Sequence, residues 1–411
     1  MSDLPICRIC GGALREFLDL GAQPMGNAFV PPEKRDEEAY AFRFRLAVAM
    51  CEACTMVQLI DYVRHDQMFH SGYPYRSSQS SVMRTHFENL AERFLAEELT
   101  GADPFIVELG SNDGIMLRTI AKAGVRHLGV EPCGDVAEVG RANGIRVVNE
   151  FFDENLAAGI LTEDGTADVI FAANTFSHID FLDSILRGIK NLLAPGGVFV
   201  FEDPYFGDIV KRASFDQIYD EHIFFFTARS VQDMAARHGL ELVDVELLPV
   251  HGGELRCVLA HTGSRPVSPA VPELLKQEEE QGLTETATLT RFADGVRELG
   301  ETLVARLREL RDQGKRVVGY GATAKSTTLL NYCGIGPDLV SFICDSTPEK
   351  QGRLTPGTHI PIESPDAFAA PYPDYTLLLA WNHKDEILAK ESAFREAGGR
   401  WIHYVPDVHI G

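Results

Sequence analysis

Short apolar runs alternate with amphipathic stretches through the middle of the chain, from about residue 75 to residue 262. Each run is rich in β-branched residues and is bounded by Gly, Pro, Asn or Asp, as buried parallel strands are. The predicted strands cover residues 106–110, 127–132, 168–174 and 197–204. Runs at 241–250 and 254–261, joined by a His-Gly-Gly turn, predict an antiparallel pair that closes the sheet. This alternation predicts a doubly wound α/β sheet.

The segment after residue 262 begins a different pattern. It opens with three closely spaced prolines and continues as an amphipathic helical stretch. The leucines of that stretch recur at spacings of three and four, as on one face of a helix: Leu299, Leu303, Leu307 and Leu310. A second glycine-turn α/β unit follows from residue 316, with further strands predicted at 339–346, 374–382 and 400–408.

The first 70 residues show little regular periodicity and contain two Cys-x-x-Cys pairs. The four cysteines are Cys7, Cys10, Cys51 and Cys54. Two such turns can complete a tetrahedral four-thiolate site, which leaves no open position for catalysis, so we predict a structural zinc ion. The metal would supply folding free energy to a loop-rich segment. The alternative is two redox-active or accidental cysteine pairs.

The charge of the chain narrows the choice of ligand. Lys and Arg total 38 against 60 Asp and Glu, which gives a formal net charge of −22 over 411 residues. Such an acidic chain is a poor binder of nucleic acid and of anionic membrane surfaces. No apolar stretch has the roughly 18–20 residues that a membrane span needs. No basic segment followed by an apolar one opens the chain, so the expected location is cytoplasmic.

The first glycine turn predicts a cofactor site. Residues 107–124 read as strand, turn and helix, and the turn contains Glu108, Gly110, Ser111, Asn112 and Gly114. The helix N-terminus favours negative charge, and an acidic residue at the next strand end, Glu131, can accept bonds from ribose hydroxyls. Asn174 ends a third strand on the same side. The alternative is a purely structural turn beside an ordinary surface Glu.

The spacing around this turn selects among adenosine cofactors. Asn112 occupies the middle glycine position of the nicotinamide fingerprint, which disfavours a nicotinamide-dependent oxidoreductase. The pattern Glu-x-Gly-x-x-x-Gly is instead similar to that of S-adenosylmethionine (SAM)-dependent methyltransferases. The middle region therefore resembles a class I methyltransferase domain.

An aromatic, acidic and histidine cluster follows the fourth predicted strand. Tyr219, Glu221 and His222 lie within four residues and precede the apolar run Ile-Phe-Phe-Phe. An imidazole beside a carboxylate and a phenol suits proton abstraction, and its ordinary pKa leaves it mostly neutral at pH 7. His178 follows Asn174 on the cofactor side. Taken alone, the segment favours an ordinary core or surface histidine over a base.

The second glycine turn, in residues 317–331, predicts a phosphate site. Lys325 and Ser326 fall in the first turn of the following helix, where backbone N–H groups and an ammonium can hold a phosphate. The spacing differs from that of a Walker A loop, which disfavours nucleotide-triphosphate hydrolysis. Residues 344–357 add Asp345 and Lys350. The alternative is a Rossmann turn that is merely structural.

Together the motifs resemble a known family, the SAM-dependent nucleotide-sugar C-3′-methyltransferases that act on 4-keto deoxysugars such as TDP-linked intermediates. The motifs occur in one order along the chain: CRIC, CEAC, GYPYRSSQS, VELGSNDG, GVEP, NTFSHI, YDEHIFFF, HGGELR and GYGATAKS. The resemblance implies a four-cysteine zinc-binding domain at 1–72, a class I SAM methyltransferase domain at 73–262 and a Rossmann-like nucleotide-sugar domain at 263–411. Glu254 in HGGELR stands where relatives often have Ser, which puts sugar contacts there in doubt.

The resemblance also implies roles for particular residues. His222 is the expected base at sugar C3, with Tyr219 and Glu221 beside it. Tyr73 and His178 are expected to border the sugar. The remaining expected ligands of SAM and of the nucleotide sugar are Tyr75 and Ser78 for the cofactor, and Tyr320, Arg256, Lys325, Ser326 and Lys350 for the substrate.

Two rival functions stay open at this point. One is an O- or N-methyltransferase for another small molecule, which would not need a base at carbon. The other is a non-catalytic protein that binds its ligands without turnover. The nucleotide, the sugar and the oligomeric state, a monomer included, are also open.

Overall fold

The computed structural model describes residues 5–69, 77–369 and 371–411. Within these residues the strands form three sheets, with helices packed against them. The predictions for Tyr73 and Tyr75 lie outside the described residues. Among the helices that are described, none is both long and apolar enough to cross a membrane.

The N-terminal region contains an antiparallel sheet that the sequence pattern did not predict. Its strands are β1 (Leu14–Gln23), β2 (Phe44–Cys51) and β3 (Val57–Leu59), followed by the short helix α1 (His65–Met68). The register of β1 against β2 shifts between Glu16 and Leu18 and again between Asp19 and Ala22. Such bulges interrupt the alternation of inward and outward side chains, so the strand period is hidden in the sequence.

The middle region is an α/β unit with a mostly parallel sheet. Its helices are α2 (Ser81–Glu97), α3 (Leu117–Lys122), α4 (Gly134–Ala142), α5 (Glu154–Asp164), α6 (Leu182–Leu192), α7 (Phe206–Arg212) and α8 (Ala228–Arg237). Its strands are β4 (Phe105–Leu109), β5 (Arg126–Val130), β6 (Val147–Val148), β7 (Ala167–Ala173), β8 (Leu193–Pro204), β9 (Phe224–Phe225), β10 (Leu240–Leu248) and β11 (Glu254–His261).

The strand order of this sheet, β10-β11-β8-β7-β4-β5-β6, confirms the doubly wound prediction. The predicted antiparallel pair is β10 with β11. The order reverses at β4, because β5 pairs with one of its edges and β7 with the other. Ligands of open α/β sheets bind at the carboxyl ends of the strands at such a point.

Strand β9 belongs to the N-terminal sheet although it lies in the middle region of the sequence. It pairs with β3, where Val57 lies opposite Phe225, and completes the order β1-β2-β3-β9. The apolar run after His222 therefore joins the cysteine-containing region to the middle region through backbone hydrogen bonds.

The C-terminal region contains the second α/β unit. Its strands are β12 (Val317–Tyr320), β13 (Ile343–Cys344), β14 (Ile362–Glu363), β15 (Tyr375–Leu378), β16 (Arg400–His403) and β17 (His409–Ile410), in the order β14-β13-β12-β15-β16-β17. Its helices are α9 (Ala270–Glu280), α10 (Thr286–Asp312), α11 (Ala324–Cys333), α12 (Pro365–Ala369), α13 (Lys384–Lys390) and α14 (Ser392–Glu396). Helix α10 buries the four leucines predicted to share one face.

Helix α9 packs on the middle region rather than on the second unit. The Glu278 carboxylate accepts hydrogen bonds from the Tyr205 hydroxyl, at 3.1 Å, and from the Ala228 amide, at 2.7 Å. Further along, one hydrophobic core combines residues of all three regions, among them Leu46, Phe215 and Leu329. The regions therefore fold against one another and enclose space between them.

Candidate active site

The four predicted zinc ligands converge. Their sulfur atoms all lie within 4.8 Å of one another, with Cys7 Sγ 3.6 Å from Cys54 Sγ and Cys10 Sγ 3.4 Å from Cys51 Sγ. A tetrahedron with zinc–sulfur bonds of about 2.3 Å spaces its sulfurs about 3.8 Å apart. Backbone amides donate to the sulfurs, as from Ile9 to Cys7 at 3.4 Å, which stabilises thiolates. The donor set and its spacing fit a closed, structural zinc site.

A cavity of about 490 Å³ runs from the first glycine turn to the second. All three regions of the chain contribute to its wall. Its lining includes the predicted site residues Gly110, Asn112, Glu131, Asn174, His178, Tyr219, Glu221, His222, Tyr320, Lys325 and Lys350. The other predicted residues that the structure describes lie outside this lining: Ser78, Glu108, Ser111, Gly114, Arg256 and Ser326.

The first turn approaches the cavity through its backbone. Gly110 has φ +68°, and a Cβ there would lie 2.2 Å from Thr175 Oγ1, so only glycine fits. Asn112 has φ +48°, a left-handed conformation that Asn tolerates better than most residues. The turn therefore presents main-chain groups rather than side-chain bulk to a ligand.

Glu131 forms the acidic wall beside this turn. Its two carboxylate oxygens accept from the backbone amides of Asn112, at 2.9 Å, and Cys133, at 2.8 Å. Each carboxylate oxygen has a further lone pair, so Glu131 can hold the turn and accept ribose hydroxyls together. These donors and acceptors fit an adenosine-bearing cofactor.

Three of the remaining turn residues lie behind the cavity wall. Glu108 is buried, its Oε2 has no partner among the described residues, and burial together with Asp113 and Glu131 holds its pKa well above the ordinary value. Ser111 is buried against Gly129, and Gly114 faces Ile145. Ser78 approaches the turn through its amide, which donates to Asp113 Oδ2 at 3.3 Å.

Asn174 reaches the cavity at the end of β7. Its side-chain amide donates to Glu254 Oε1 at 2.7 Å. Burial, and then the charge of Glu202, raises the pKa of Glu254 well above its ordinary value. A protonated carboxyl at this position leaves the wall near Asn174 uncharged. The Glu at this position therefore supports Asn174 from behind rather than lining the cavity itself.

The imidazole of His222 is held from both sides in the centre of the cavity. Its Nδ1 lies 2.8 Å from the backbone oxygen of Gln217, and its Nε2 lies 3.0 Å from the Tyr219 hydroxyl. A carbonyl can only accept, so Nδ1 carries the proton and Nε2 accepts from the phenol. Burial, then His178, holds the pKa of His222 well below 6.5, so the ring is neutral at pH 7.

His178 stacks on the same ring. Its centroid lies 5.1 Å from that of His222 and 5.6 Å from that of Phe69, and both pairs are close to parallel. Its Nε2 is buried with no partner in the described part of the chain. Burial lowers the pKa of His178 to about 3, so this ring is also neutral. A neutral imidazole with an unused nitrogen can donate to an oxygen in the cavity.

Lys325 and Lys350 line the far end of the cavity. Lys325 Nζ lies 5.3 Å from the centroid of the Trp381 ring, and burial lowers its pKa, an effect that Asp216 opposes. Lys350 Nζ donates to the Ala322 oxygen at 2.8 Å. Two lysine side chains near the start of helix α11 give this end of the cavity two cationic groups.

Asp345 stabilises the second glycine turn through a hydrogen bond to its backbone. Its carboxylate accepts from the Ala322 amide at 2.7 Å and from the Thr347 amide at 2.8 Å. Tyr320 lines the same end and donates from its hydroxyl to Glu391 Oε1 at 2.7 Å.

Two predicted substrate ligands are used elsewhere in the fold. Ser326 forms a capping box with Thr323: its amide donates to Thr323 Oγ1 at 3.1 Å, and its hydroxyl donates to the Thr323 oxygen at 2.6 Å. Arg256 forms ion pairs with Glu202 and Glu246, each at 2.6 Å. Both side chains are bonded to other groups of the protein, and neither of them lines the cavity.

The cavity also has wall residues that the sequence analysis missed. Asn27 reaches it from the N-terminal region, and nothing in its local sequence marks it. His251 reaches it from the turn between β10 and β11, with its pKa lowered to about 3 by burial. The His-Gly-Gly turn in the sequence could have indicated this position. Strand β11 pairs with β8 so that Glu254 lies opposite Pro204, which places the turn at the carboxyl end of the parallel strands.

The α/β fold, the four-cysteine cluster and the cavity beside the first glycine turn define the class of protein. This is a SAM-dependent methyltransferase with an N-terminal zinc-binding domain. Family models match along the chain as "Putative zinc binding domain" at 7–69, "Methyltransferase domain" at 82–245 and "C-methyltransferase C-terminal domain" at 249–406. The chain is 34% identical to C-methyltransferase NovU of Streptomyces niveus over 409 residues, which span 98% of this chain and 96% of that protein. The chain belongs to this C-methyltransferase family.

Solved methyltransferases are similar to part of the chain. Magnesium protoporphyrin IX methyltransferase of Synechocystis PCC 6803, with bound SAM, is 9% identical and covers 44% of this chain and 79% of its own, with a TM-score of 0.33. A SAM-dependent methyltransferase of Clostridium acetobutylicum is 11% identical and covers 45% of this chain and 95% of its own, with a TM-score of 0.35. Similarity at this level adds nothing to the family assignment.

We expect Cys51→Ser to lose zinc and stability together, because a structural zinc ion supplies folding free energy. Elemental analysis should fall from one zinc per chain toward zero, and thermal unfolding should shift to lower temperature. Cys333→Ser, at the end of α11, is the matched control and should keep its zinc. A Cys51→Ser protein with full zinc content would contradict the assignment.

We expect Glu131→Ala to weaken binding of SAM and S-adenosylhomocysteine by roughly 10- to 100-fold, since a charge-assisted hydrogen bond contributes about 1.5–3 kcal/mol. Calorimetry measures this directly. Glu138→Ala changes an exposed carboxylate on α4 and should bind as wild type does. An unchanged dissociation constant for Glu131→Ala would place the ribose elsewhere.

Proposed function

We propose that this methyltransferase transfers a methyl group to C3 of a nucleoside-diphosphate-linked 4-keto sugar after removing the C3 proton. One observation carries the proposal: a single cavity joins the two glycine turns, and a Tyr–His pair suited to proton abstraction lies between them. A carbon nucleophile beside a ketone forms only when a base removes the C–H proton, and the Tyr–His pair can serve as that base. Membership in a C-methyltransferase family supports the same choice.

The positive end of the cavity suits the diphosphate. Lys325 and Lys350 supply ammonium groups, and the first turn of the ten-residue helix α11 adds its dipole. The sugar then extends toward Tyr219 and His222, and the 4-keto group acidifies the hydrogen on C3. Binding energy from the nucleotide is thereby used to orient the reacting carbon.

Proton removal uses Tyr219 and His222 as one unit. As the Tyr219 oxygen takes the C3 proton, its own proton passes to His222 Nε2, and the imidazole becomes an imidazolium. The Gln217 carbonyl, which accepts from Nδ1, stabilises that positive charge. The electron pair left by the C–H bond moves into the enolate.

His178 is the proposed donor to the enolate oxygen. Its ring is neutral and its Nε2 is buried without a partner among the described residues, so an N–H at this atom can meet the charge that develops in the transition state. Bound SAM supplies the electrophilic methyl group. Glu131 and the turn at Gly110 are the residues that would hold that cofactor.

We expect the enzyme to exchange the C3 hydrogen of a 4-keto sugar with heavy water when S-adenosylhomocysteine replaces SAM. His222→Gln should stop this exchange and lower turnover by roughly 10²–10⁴, the usual contribution of a general base. NMR or mass spectrometry follows the deuterium, with a sample lacking enzyme to subtract spontaneous exchange. His127→Gln, outside the cavity, is the control.

The companion variant Tyr219→Phe separates the two members of the pair. If the phenol relays the proton, its removal stops exchange as completely as His222→Gln does, and the double variant is no worse than either single one. Exchange retained in Tyr219→Phe would remove the relay step, and exchange retained in His222→Gln would refute the base.

We expect Lys325→Ala to raise the KM for the nucleotide sugar by roughly 10-fold or more, because it removes a charge-assisted bond to phosphate. Affinity for S-adenosylhomocysteine should stay unchanged. Calorimetry with free nucleoside diphosphate tests the assignment, with Lys315→Ala, an exposed lysine of the same region, as the control. Equal diphosphate affinity in Lys325→Ala and wild type would overturn it.

A further inference from the structure

A loop of the zinc-binding region reaches the centre of the molecule. It follows β1 and is fixed by both other regions: the Gly26 amide donates to Asp220 Oδ1 at 2.8 Å, and Thr327 Oγ1 donates to the Gly26 oxygen at 2.9 Å. A Cβ on Gly26 would lie 2.9 Å from Asp220 Oδ1 and 3.0 Å from Ala324 Cβ, so glycine permits this close approach. The backbone of Val30 then pairs with that of Leu354.

The next residue on this loop, Asn27, lines the cavity. Its Nδ2 donates to Glu221 Oε1 at 2.7 Å, and Glu221 is 4% exposed. Glu221 immediately precedes His222, Tyr219 lies two residues before Glu221, and all four side chains line the cavity. The bond joins residues separated by 194 positions, which means that the loop was brought to Glu221 by the tertiary fold.

The charges around Glu221 make this bond important. Asp220 is its chain neighbour, and burial together with the charge of Glu221 raises the pKa of Asp220 to about 7. Lys350, whose Nζ lies 5.2 Å from the centroid of the Phe29 ring on the same loop, interacts favourably with Glu221. A buried carboxylate needs donors to keep a fixed position, and the Asn27 amide is one of them.

We propose that Asn27 is a positioning residue for the reaction: its amide holds the Glu221 carboxylate in place beside the Tyr219–His222 pair. The zinc-binding region thus contributes a side chain to the active site in addition to any role in folding. The inference rests on the proposed function, because it assigns Asn27 to the proton-abstracting wall. Small displacements of these side chains slow the reaction strongly, because the reacting groups must be aligned to within fractions of an ångström.

The test is a double-mutant cycle measured by C3 deuterium exchange and by turnover. Asn27→Ala should lower kcat and the exchange rate by roughly 10- to 100-fold, the usual effect of losing a bond to a buried charge, with little change in KM. In a Glu221→Gln background, Asn27→Ala should lower kcat and the exchange rate by less than about twofold, because the charge that Asn27 supports is already absent. Zinc content and S-adenosylhomocysteine affinity should match wild type throughout.

The variant Asn27→Asp keeps the inference testable if Asn27→Ala fails to fold. It preserves the shape of the side chain while replacing the amide donor, and at a pH where the new carboxyl is ionised it should reduce exchange at least as far as Asn27→Ala because two carboxylates then repel. Asn155→Ala, an exposed asparagine of α5, is the control and should behave as wild type does.

The outcomes separate the two proposals. If wild type exchanges C3 hydrogen but Asn27→Ala and Asn27→Asp exchange it equally fast, the inference about Asn27 is wrong and the proposed function stands. An equal loss from Asn27→Ala in the wild-type and Glu221→Gln backgrounds would likewise overturn it, since Asn27 would then act independently of Glu221. If wild type itself shows neither exchange nor C-methylation of 4-keto nucleotide sugars, the proposed function fails and the inference falls with it.

Discussion

The hydrogen bond from His222 Nδ1 to the backbone oxygen of Gln217 is the constraint on which the chemistry of the cavity depends. It fixes the tautomer, and the tautomer turns the lone pair of Nε2 toward Tyr219. The residue that precedes Gln217 is bonded to the C-terminal region. Asp216, beside Gln217, accepts from the Trp381 indole and from the Tyr404 hydroxyl, each at 2.7 Å. The C-terminal unit therefore contacts the segment that carries His222 and also lines the cavity itself.

The zinc-binding region also contacts the segment that carries His222. Its sheet accepts β9 as a fourth strand, and β9 begins two residues after His222. Its loop contacts Asp220 and Glu221 immediately before that histidine. The His222 segment is thus held on both sides by a region that the zinc cluster helps to fold. A structural metal remote from the reaction can in this way influence the geometry of the reacting groups.

The sequence predicted much of this architecture because buried parallel strands and glycine turns leave strong local signals. The strands that end at Leu109, Val130 and Ala173 are close to their predicted limits, and the two Cys-x-x-Cys pairs predicted one cluster. Strands β6, β9, β14 and β17 were missed, since two-residue strands have no measurable period.

The parts that escaped prediction depend on the tertiary fold. Asn27 meets Glu221 across 194 residues, which no local pattern records. Ser326 and Arg256 were expected at the substrate, and their types fit, but Ser326 caps its own helix and Arg256 pairs with Glu202 and Glu246. Residue chemistry indicates what a side chain can bind, whereas its neighbours decide what it does bind.

The central claim is that His222 is a neutral imidazole with its proton on Nδ1 and its Nε2 available to accept one. Nitrogen-15 NMR of histidine-labelled enzyme measures this directly, with His222→Gln used to assign the signals among the 13 histidines. Near pH 7 we expect a protonated, pyrrole-type Nδ1 and an unprotonated, pyridine-type Nε2, and this pattern should persist below pH 6.5 because burial lowers the pKa of His222. A doubly protonated ring at pH 7, or the proton on Nε2, would contradict it.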